Sequence, residues 1–228
     1  MKKMTALLLS AALLCPTLAL AEDTVKIGIF EPMTGATAAG GSMEKEGFDL
    51  ANELYPDVLG QKIELVYGDN KSDRAEATLA AQSLVDKGVV AVLGSYGSGL
   101  SMAGGEVFAE SEIPALTATA TNPTVTLDCE WYARICFIDP FQGTVLANFA
   151  KDQFSATKAY CLAKQGDDYS VGLCNYFMKA FGEENCVYEV FPEGTSDYSS
   201  YVTSAKNSGA DVFFAPVSIE AAALILDQ

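Results

Sequence analysis

Small polar residues cluster in three short segments, each of which directly follows an apolar run. The segments are residues 32–35, 94–99 and 117–123, which are rich in glycine, serine and threonine. Hydroxyl groups and backbone N–H groups can hold a small polar molecule through hydrogen bonds, without any covalent step. The chemistry that these segments favour is therefore reversible binding.

Ser98 has the clearest physical role within this set. It stands at the beginning of a helix predicted over about residues 100–111. The N–H groups of a first helical turn and the helix dipole attract anions, so Ser98 could bind a carboxylate. A serine at this position could also do no more than cap the helix.

The composition argues against catalysis and against several classes of partner. The chain has no histidine, which excludes Ser-His-Asp and Cys-His arrangements and histidine-ligated metals. It also lacks a G-x-G-x-x-G fingerprint and a G-x-S-x-G elbow. With 14 basic and 30 acidic residues, its net charge is −16, which disfavours nucleic acid and anionic membrane surfaces. We therefore expect no catalytic residue, no metal site and no cofactor.

The order of the predicted elements indicates the fold that positions these loops. Short β-rich runs alternate with segments of helical periodicity, at the length of right-handed βαβ crossovers. Ser42 is predicted to cap the first helix, of about 13 residues, and Ser72 to cap the second. The pattern predicts an α/β fold with two Rossmann-like lobes, whose parallel sheets are flanked by helices. The predicted strands are residues 25–30, 63–67, 89–93, 113–117, 159–163, 187–191 and 212–215.

Residues 118–140 break this alternation and are expected to form an edge loop and a crossover between the lobes. The predicted division is lobe one over residues 22–139 and lobe two over residues 140–228. Asp139 is expected to begin the crossover and to cap the helix that starts near Phe141. The sheet edge at the carboxyl ends of the strands is where such folds bind ligands. Glu31 and Asp139 could both point into that cleft.

The two ends of the chain carry further signals. Residues 1–21 combine a basic start, an apolar run and the small-x-small site Ala19-Leu20-Ala21, which is typical of a secretory signal peptide. The context of Cys15 fits lipid attachment badly. An apolar helix over residues 219–228 reaches the last residue, from which we expect a fragment of a longer protein with an incomplete second lobe.

Five cysteines follow the predicted signal peptide, and export to an oxidising compartment favours disulfides. Cys129 with Cys136 is a plausible local bridge. Cys161 and Cys186 are expected on neighbouring strands, where they could also pair. Cys174 would then be left to pair elsewhere or to lie buried as a small apolar residue.

Taken in order, the loop segments resemble those of the leucine/isoleucine/valine-type periplasmic binding proteins, the receptors of branched-chain amino acid ABC transporters. The lobe-two segments that carry the resemblance are residues 137–143, 168–170 and 209–212. The resemblance covers the whole chain after the signal peptide. It implies a type I periplasmic binding fold, a periplasmic or extracellular location, a small-molecule ligand such as an amino acid, a membrane permease as partner and a monomeric receptor.

The resemblance also implies roles for individual residues. Ser98 matches a serine whose hydroxyl and N–H bind the ligand carboxylate, and Tyr96 and Gly97 belong to the same loop. Thr119 matches a position whose backbone carbonyl receives the ligand amine. The hydroxyl of Thr121 would bind the ligand, and the ring of Tyr169, in lobe two, would close over the ligand.

Two positions depart from the pattern of the family. Gly40 and Ser218 stand where the family often has aromatic residues. Their small size implies a roomier or more polar pocket than a leucine-specific one.

Other interpretations of these residues stay open from sequence alone. Thr119 and Thr121 could be ordinary loop threonines, and Tyr169 could be packing at a helix start. At the level of function, the same lobes could form the sensor domain of a signalling receptor. An exported α/β enzyme that relies on carboxylates is the third alternative.

Overall fold

The computed structural model describes residues 24–228. The predicted signal peptide lies outside the described residues. Within the described part, no helix is long and apolar enough to cross a membrane. The described chain forms two α/β lobes, each built on its own sheet.

Lobe one contains a six-stranded sheet of order β2-β3-β1-β4-β5-β6. All neighbouring strands are parallel except β2 and β3, which form an antiparallel pair. The apolar runs predicted as strands form the sheet because their Val, Ile and Leu side chains can be covered by helices on both faces. The strands are β1 (Val25–Glu31), β2 (Asp57–Val58), β3 (Gln61–Asp69), β4 (Ala91–Gly94), β5 (Ala115–Thr117) and β6 (Tyr132–Arg134).

Three helices complete lobe one: α1 (Ala38–Leu54), α2 (Arg74–Asp86) and α3 (Ser98–Glu110). Its core is built around Phe30 and Phe108, whose rings meet edge to face with centroids 5.4 Å apart. Helix α3 begins at Ser98, only four residues after β4 ends at Gly94, so its amino end lies beside the carboxyl end of that strand.

Lobe two contains a three-stranded parallel sheet of order β8-β7-β9. A stack of aromatic rings that includes Phe177 and Phe214 fills its core on one side, with centroids 4.1 Å apart. The predicted boundary after residue 139 falls inside the first turn of α4. The elements are α4 (Asp139–Phe154), β7 (Ala159–Lys164), α5 (Asp168–Phe181), β8 (Cys186–Phe191), α6 (Ser199–Ser208), β9 (Val212–Phe214) and α7 (Ile219–Leu226).

The predicted caps of the first two helices are wrong. The first helix begins at Ala38, before Ser42, because Gly40 and Gly41 allow its first turn to pack closely on Tyr96 and Pro32. The cap of α2 is Asp73, whose carboxylate accepts a hydrogen bond from the Glu76 N–H. Ser72 instead braces the preceding loop, since its hydroxyl donates to the Thr34 carbonyl.

The segment predicted as an edge loop and crossover contains one more strand. Strand β6 pairs in parallel with β5 and becomes the edge of the six-stranded sheet. Asp139 is the first residue of α4 and makes no capping hydrogen bond, so its predicted capping role is wrong. Its side chain is instead fully buried.

The predicted disulfides are also wrong, because all five cysteines of the described chain are free thiols. Cys129 packs against the lobe-one core, whereas the Sγ atom of Cys136 lies 3.6 Å from the Ala120 carbonyl oxygen. Cys161 and Cys186 do lie on the neighbouring strands β7 and β8. Their strand register places Cys161 opposite Tyr188 and Cys186 opposite Ala159, and the two thiols form a hydrogen bond with each other without a covalent bond.

Candidate ligand-binding site

A cavity of about 350 Å³ lies between the two lobes, at the carboxyl ends of their strands. In lobe one it lies beside β1 and β4, the neighbours at which the strand order reverses, and in lobe two it lies beside β7 and β9. Such switch points leave a crevice between diverging loops, which is where open α/β sheets bind ligands. The residues that line the cavity include all six predicted site residues: Tyr96, Gly97, Ser98, Thr119, Thr121 and Tyr169.

Ser98 is buried and is the first residue of α3, which points its amino end into the cavity. The alternative that Ser98 caps this helix does not apply, because Gly97 occupies the cap position. The Ser98 hydroxyl oxygen accepts a hydrogen bond of 3.2 Å from the Asn122 N–H. The first N–H groups of a helix have no intrahelical acceptor, so this wall of the cavity presents donors and a positive dipole end.

A buried hydroxyl network holds the loops of lobe one in register. The Thr117 hydroxyl donates to the Ser95 carbonyl at 3.2 Å and accepts from the Ala120 N–H at 3.0 Å. The Ser101 hydroxyl donates to the same Ser95 carbonyl at 2.9 Å. These bonds tie the loop after β4 to the loop after β5. Ser98 and Thr121 are therefore held in fixed positions relative to each other.

Arg134 organises the loop after β5, and sequence reasoning missed it. Its guanidinium donates to the carbonyl oxygens of Ala120 at 2.6 Å and Asn122 at 2.9 Å. It also donates to the Thr126 hydroxyl at 2.8 Å. One planar cation therefore satisfies several acceptors of the loop that carries Thr119 and Thr121. The arginine is more than ten residues from most of these partners, so no local motif could have revealed it.

A pair of carboxyl groups stands behind another wall. The Thr119 hydroxyl donates to the Glu44 carboxylate, and Glu31 accepts a hydrogen bond of 2.8 Å from the Tyr96 N–H. Glu31 is fully buried and does not line the cavity, so it does not point into the cleft. Burial, reinforced by the charge of Glu44, raises the pKa of Glu31 to about 10. Glu31 is therefore a neutral acid that can donate a proton to Glu44.

The lobe-two wall centres on Tyr169, in the first turn of α5. Burial, reinforced by the charge of Asp139, raises the pKa of Tyr169 to about 12, so its phenol stays protonated. Burial also raises the pKa of Asp139, against the opposing effect of the Thr121 hydroxyl. Asp139 lies behind the cavity rather than in its lining. Asp139 is thus a buried neighbour of both Thr121 and Tyr169, which come from opposite lobes.

The two departures from the resembled pattern have different consequences. A Cβ atom on Gly40 would lie 2.4 Å from the Tyr96 ring, so Tyr96 occupies the space of an aromatic side chain at that position. Ser218 lines the cavity and caps α7 by accepting a 3.3 Å hydrogen bond from the Ala221 N–H. Tyr96 thus fills the Gly40 position, whereas the Ser218 position stays small and polar.

Several lining residues were not among the predicted site residues. Gln142 comes from α4, Lys164 is the last residue of the buried strand β7, and Asp167 follows that strand. Lys164 forms an ion pair of 2.5 Å with Glu193, and Asp167 caps α5 through the Ser170 N–H at 2.7 Å. A rule that inspects residues after each strand would have found Lys164 and Asp167. The other lining residues that were not predicted are Thr37, Ala118, Cys136, Phe137, Ser170 and Val217.

The arrangement can hold a small molecule by its polar groups between two apolar walls. The α3 amino end suits an anionic group, while the rings of Tyr96, Phe137 and Tyr169 give apolar surface. Within residues 24–228, no group of His, Cys, Asp or Glu side chains is arranged to hold a metal ion.

Comparisons with known proteins agree with this geometry. The family model described as "Periplasmic binding protein" matches residues 24–228. A Leu/Ile/Val-binding protein homologue of Brucella abortus is 29% identical over 197 residues, which cover 83% of this chain and 53% of that protein. The chain thus spans about half the length of the curated relatives it matches.

Two solved structures are also similar. A leucine-binding protein from Thermotoga maritima is 37% identical, with a TM-score of 0.79. The match covers 83% of this chain and 55% of the Thermotoga chain. An ABC-transporter solute-binding protein from Rhodopseudomonas palustris, in complex with 4-hydroxybenzoate, is 28% identical with a TM-score of 0.74, covering 86% and 55%. These relatives are binding proteins. The match of its whole described length to one family model shows that it belongs to the periplasmic binding protein family.

Proposed function

We propose that this chain is an extracytoplasmic solute receptor of an ABC transporter. It binds a small carboxylate-bearing solute, for which an amino acid is the first candidate, and delivers it as a monomer to a membrane permease. The observation that carries the proposal is the amino end of α3 with Ser98, which faces the ring of Tyr169 across a cavity between the lobes. A cavity of about 350 Å³ suits a small metabolite.

In this proposal each predicted site residue has one task. Ser98 and the N–H groups after Gly97 bind the carboxylate, because the helix dipole and unpaired donors favour negative charge. The Thr119 carbonyl receives the ammonium group, and the hydroxyl of Thr121 adds a hydrogen bond. Tyr96 and Tyr169 close on the ligand from the two lobes.

An aromatic carboxylate is the second candidate. The R. palustris relative is described in complex with 4-hydroxybenzoate. Three aromatic side chains line the present cavity: Tyr96, Phe137 and Tyr169. Both candidates place a carboxylate at α3 and differ in whether an ammonium group is needed.

Isothermal titration calorimetry with a matched panel tests the proposal. L-leucine, L-isoleucine and L-valine carry both groups, isovalerate and 4-hydroxybenzoate lack the amine, and leucinol lacks the carboxylate. We expect binding of at least one carboxylate and none of leucinol. Binding that depends on the amine would favour the amino acid, and binding of 4-hydroxybenzoate would favour the aromatic acid.

Ser98→Ala then tests the site itself. Hydrogen bonds to charged groups are worth about 1.5–3 kcal/mol, so affinity should fall about tenfold or more. Ser111→Ala, at the other end of the same helix, is the matched control and should leave affinity unchanged. Unchanged affinity of Ser98→Ala for the bound carboxylate would overturn the assignment of the site.

A further inference from the structure

One residue of lobe two makes two separate contacts with lobe one. The Asp168 carboxylate forms an ion pair with the guanidinium of Arg74. Its backbone carbonyl oxygen accepts a hydrogen bond of 2.9 Å from the Asn122 side-chain amide. Asp168 is the first residue of α5 and Arg74 the first residue of α2, so the contact joins the amino ends of two helices across the cleft.

The position of Arg74 is not explained by its own helix. A cation at the amino end of a helix opposes the helix dipole, which favours acids there. No other ion pair to Arg74 is present in the described part of the chain. Asp168, by contrast, suits its place at the start of α5. The partner across the cleft therefore accounts for an arginine that is locally unfavourable.

A glycine makes room for this ion pair. A Cβ atom on Gly99 would lie 2.8 Å from the Arg74 Nη2 atom and 2.9 Å from the Asp168 Oδ2 atom. Gly99 belongs to the first turn of α3, directly after Ser98. The pair is therefore seated on the same helix end that faces the ligand cavity.

A second cavity, of about 250 Å³, is bordered by both members of the pair. It shares part of its wall with the ligand cavity, through Thr37, Gly97, Lys164 and Asp167. The other charged side chains along it have partners or caps within their own lobe, as Lys164 does with Glu193. Among the charged side chains that border this space, only Arg74 and Asp168 pair across the cleft.

We propose that Arg74 and Asp168, seated on Gly99, form a clasp that holds the two lobes closed. The clasp acts on lobe closure itself, so it goes beyond the proposed function and does not depend on the identity of the ligand. Ligand contacts and the clasp both favour the closed form. Each contributes free energy to the open–closed equilibrium, so together they raise the population of the closed form.

The exposure of the pair sets the size of the effect. The Arg74 and Asp168 side chains are 56% and 36% exposed, so water and salt screen their attraction. Exposed pairs of this kind change an equilibrium by up to about fivefold. Another contact also links the lobes, since Glu220 accepts a hydrogen bond of 3.0 Å from the Ala39 N–H. Loss of the clasp should therefore shift the closed population rather than abolish it.

Interlobe distances in the ligand-free protein test the proposal. Spin labels on unnatural amino acids at the exposed positions Glu106 and Lys179 report on α3 and α5 while the cysteines are left intact. Arg74→Gln and Asp168→Asn should each move the distance distribution toward longer values by the same amount. Glu76→Gln breaks an exposed ion pair with Lys71 within lobe one and is the matched control, which should resemble the wild type.

Charge reversal separates the clasp from general damage. Arg74→Asp and Asp168→Arg should each open the lobes, and the double variant should recover at least part of the wild-type distribution. Raising the salt concentration should move the wild type toward the single variants and leave Arg74→Gln little changed. Distance distributions that do not respond to either neutral variant, or a double variant as open as the singles, would overturn the clasp.

Discussion

Replacement of Glu31 by glutamine should change the pH dependence of stability in a way that follows from one buried proton. Glu31 is fully buried, and burial together with the charge of Glu44 raises its pKa from 4.5 to about 10. One of its oxygens accepts from the Tyr96 N–H, and the other has no donor apart from a proton shared with Glu44. The folded protein therefore keeps a proton that the unfolded chain releases above about pH 5.

The sign and size of the effect follow from proton linkage. Between the unfolded and the folded pKa, the native state binds one more proton than the unfolded state at this site. Its contribution to the free energy of unfolding therefore falls by about 1.4 kcal/mol per pH unit as the pH rises. By pH 7 the accumulated loss is about 3 kcal/mol, relative to a side chain that is neutral in both states.

Glutamine is such a side chain, and its shape suits the site. Its amide oxygen can accept from the Tyr96 N–H, and its NH₂ group can donate to Glu44 in place of the carboxyl proton. We expect the free energy of unfolding of Glu31→Gln to depend less on pH than that of the wild type between about pH 5.5 and 8.5. At the upper end of this range the variant should be the more stable of the two.

Urea unfolding followed by the fluorescence of the single tryptophan, Trp131, gives the free energy of unfolding across this range. Glu46→Gln changes an exposed carboxylate of α1, the helix that carries Glu44, and should keep the wild-type slope. A Glu31→Gln slope equal to that of the wild type would show that Glu31 ionises in the folded state, and would refute the reasoning.

Three further predictions concern the walls of the site and the thiols. Arg134→Met leaves several loop acceptors without their donor. Urea unfolding should therefore show a free energy of unfolding lower by about 2 kcal/mol or more, and calorimetry should show weaker ligand binding. Gly40→Ala should displace the Tyr96 ring and weaken binding, whereas Gly47→Ala, in open space on the same helix, should raise stability by up to about 1 kcal/mol; equal behaviour of the two variants would contradict this packing. Burial raises the pKa of Cys174 to about 12, so a thiol reagent at neutral pH should label it only after unfolding, and a disulfide found there by mass spectrometry would contradict the free thiols.

Local patterns were sufficient for most of the strands and helices. The run at Val25 and the run near Cys161 form the strands β1 and β7 as predicted, because runs made mostly of apolar side chains suit a sheet covered on both faces. The same reasoning failed where contacts, rather than propensity, decide. Gly40 and Gly41 have the composition of a loop, yet they lie in α1 because only glycine permits the close approach to Tyr96 and Pro32.

The cysteines illustrate a second kind of failure. Spacing along the chain favoured a bridge between Cys129 and Cys136, but the first packs against the lobe-one core and the second lies beside the Ala120 carbonyl. Spacing limits how far apart two residues can be, whereas a bond also requires that their side chains point toward each other. The direction of a side chain is set by packing, which the spacing does not contain.

The sequence by itself determined the α/β alternation, the family and the loops in which the predicted site residues lie, because these depend on residue types within short segments and on the order of those segments along the chain. Only the tertiary structure decided which distant side chains support the site. Arg134 meets the loop of Thr121, Glu31 shares a proton with Glu44, and Arg74 meets Asp168 across the cleft. The physical reason is that burial and pairing of charges depend on distance in space, and residues far apart in the chain come together only when the sheets and helices pack.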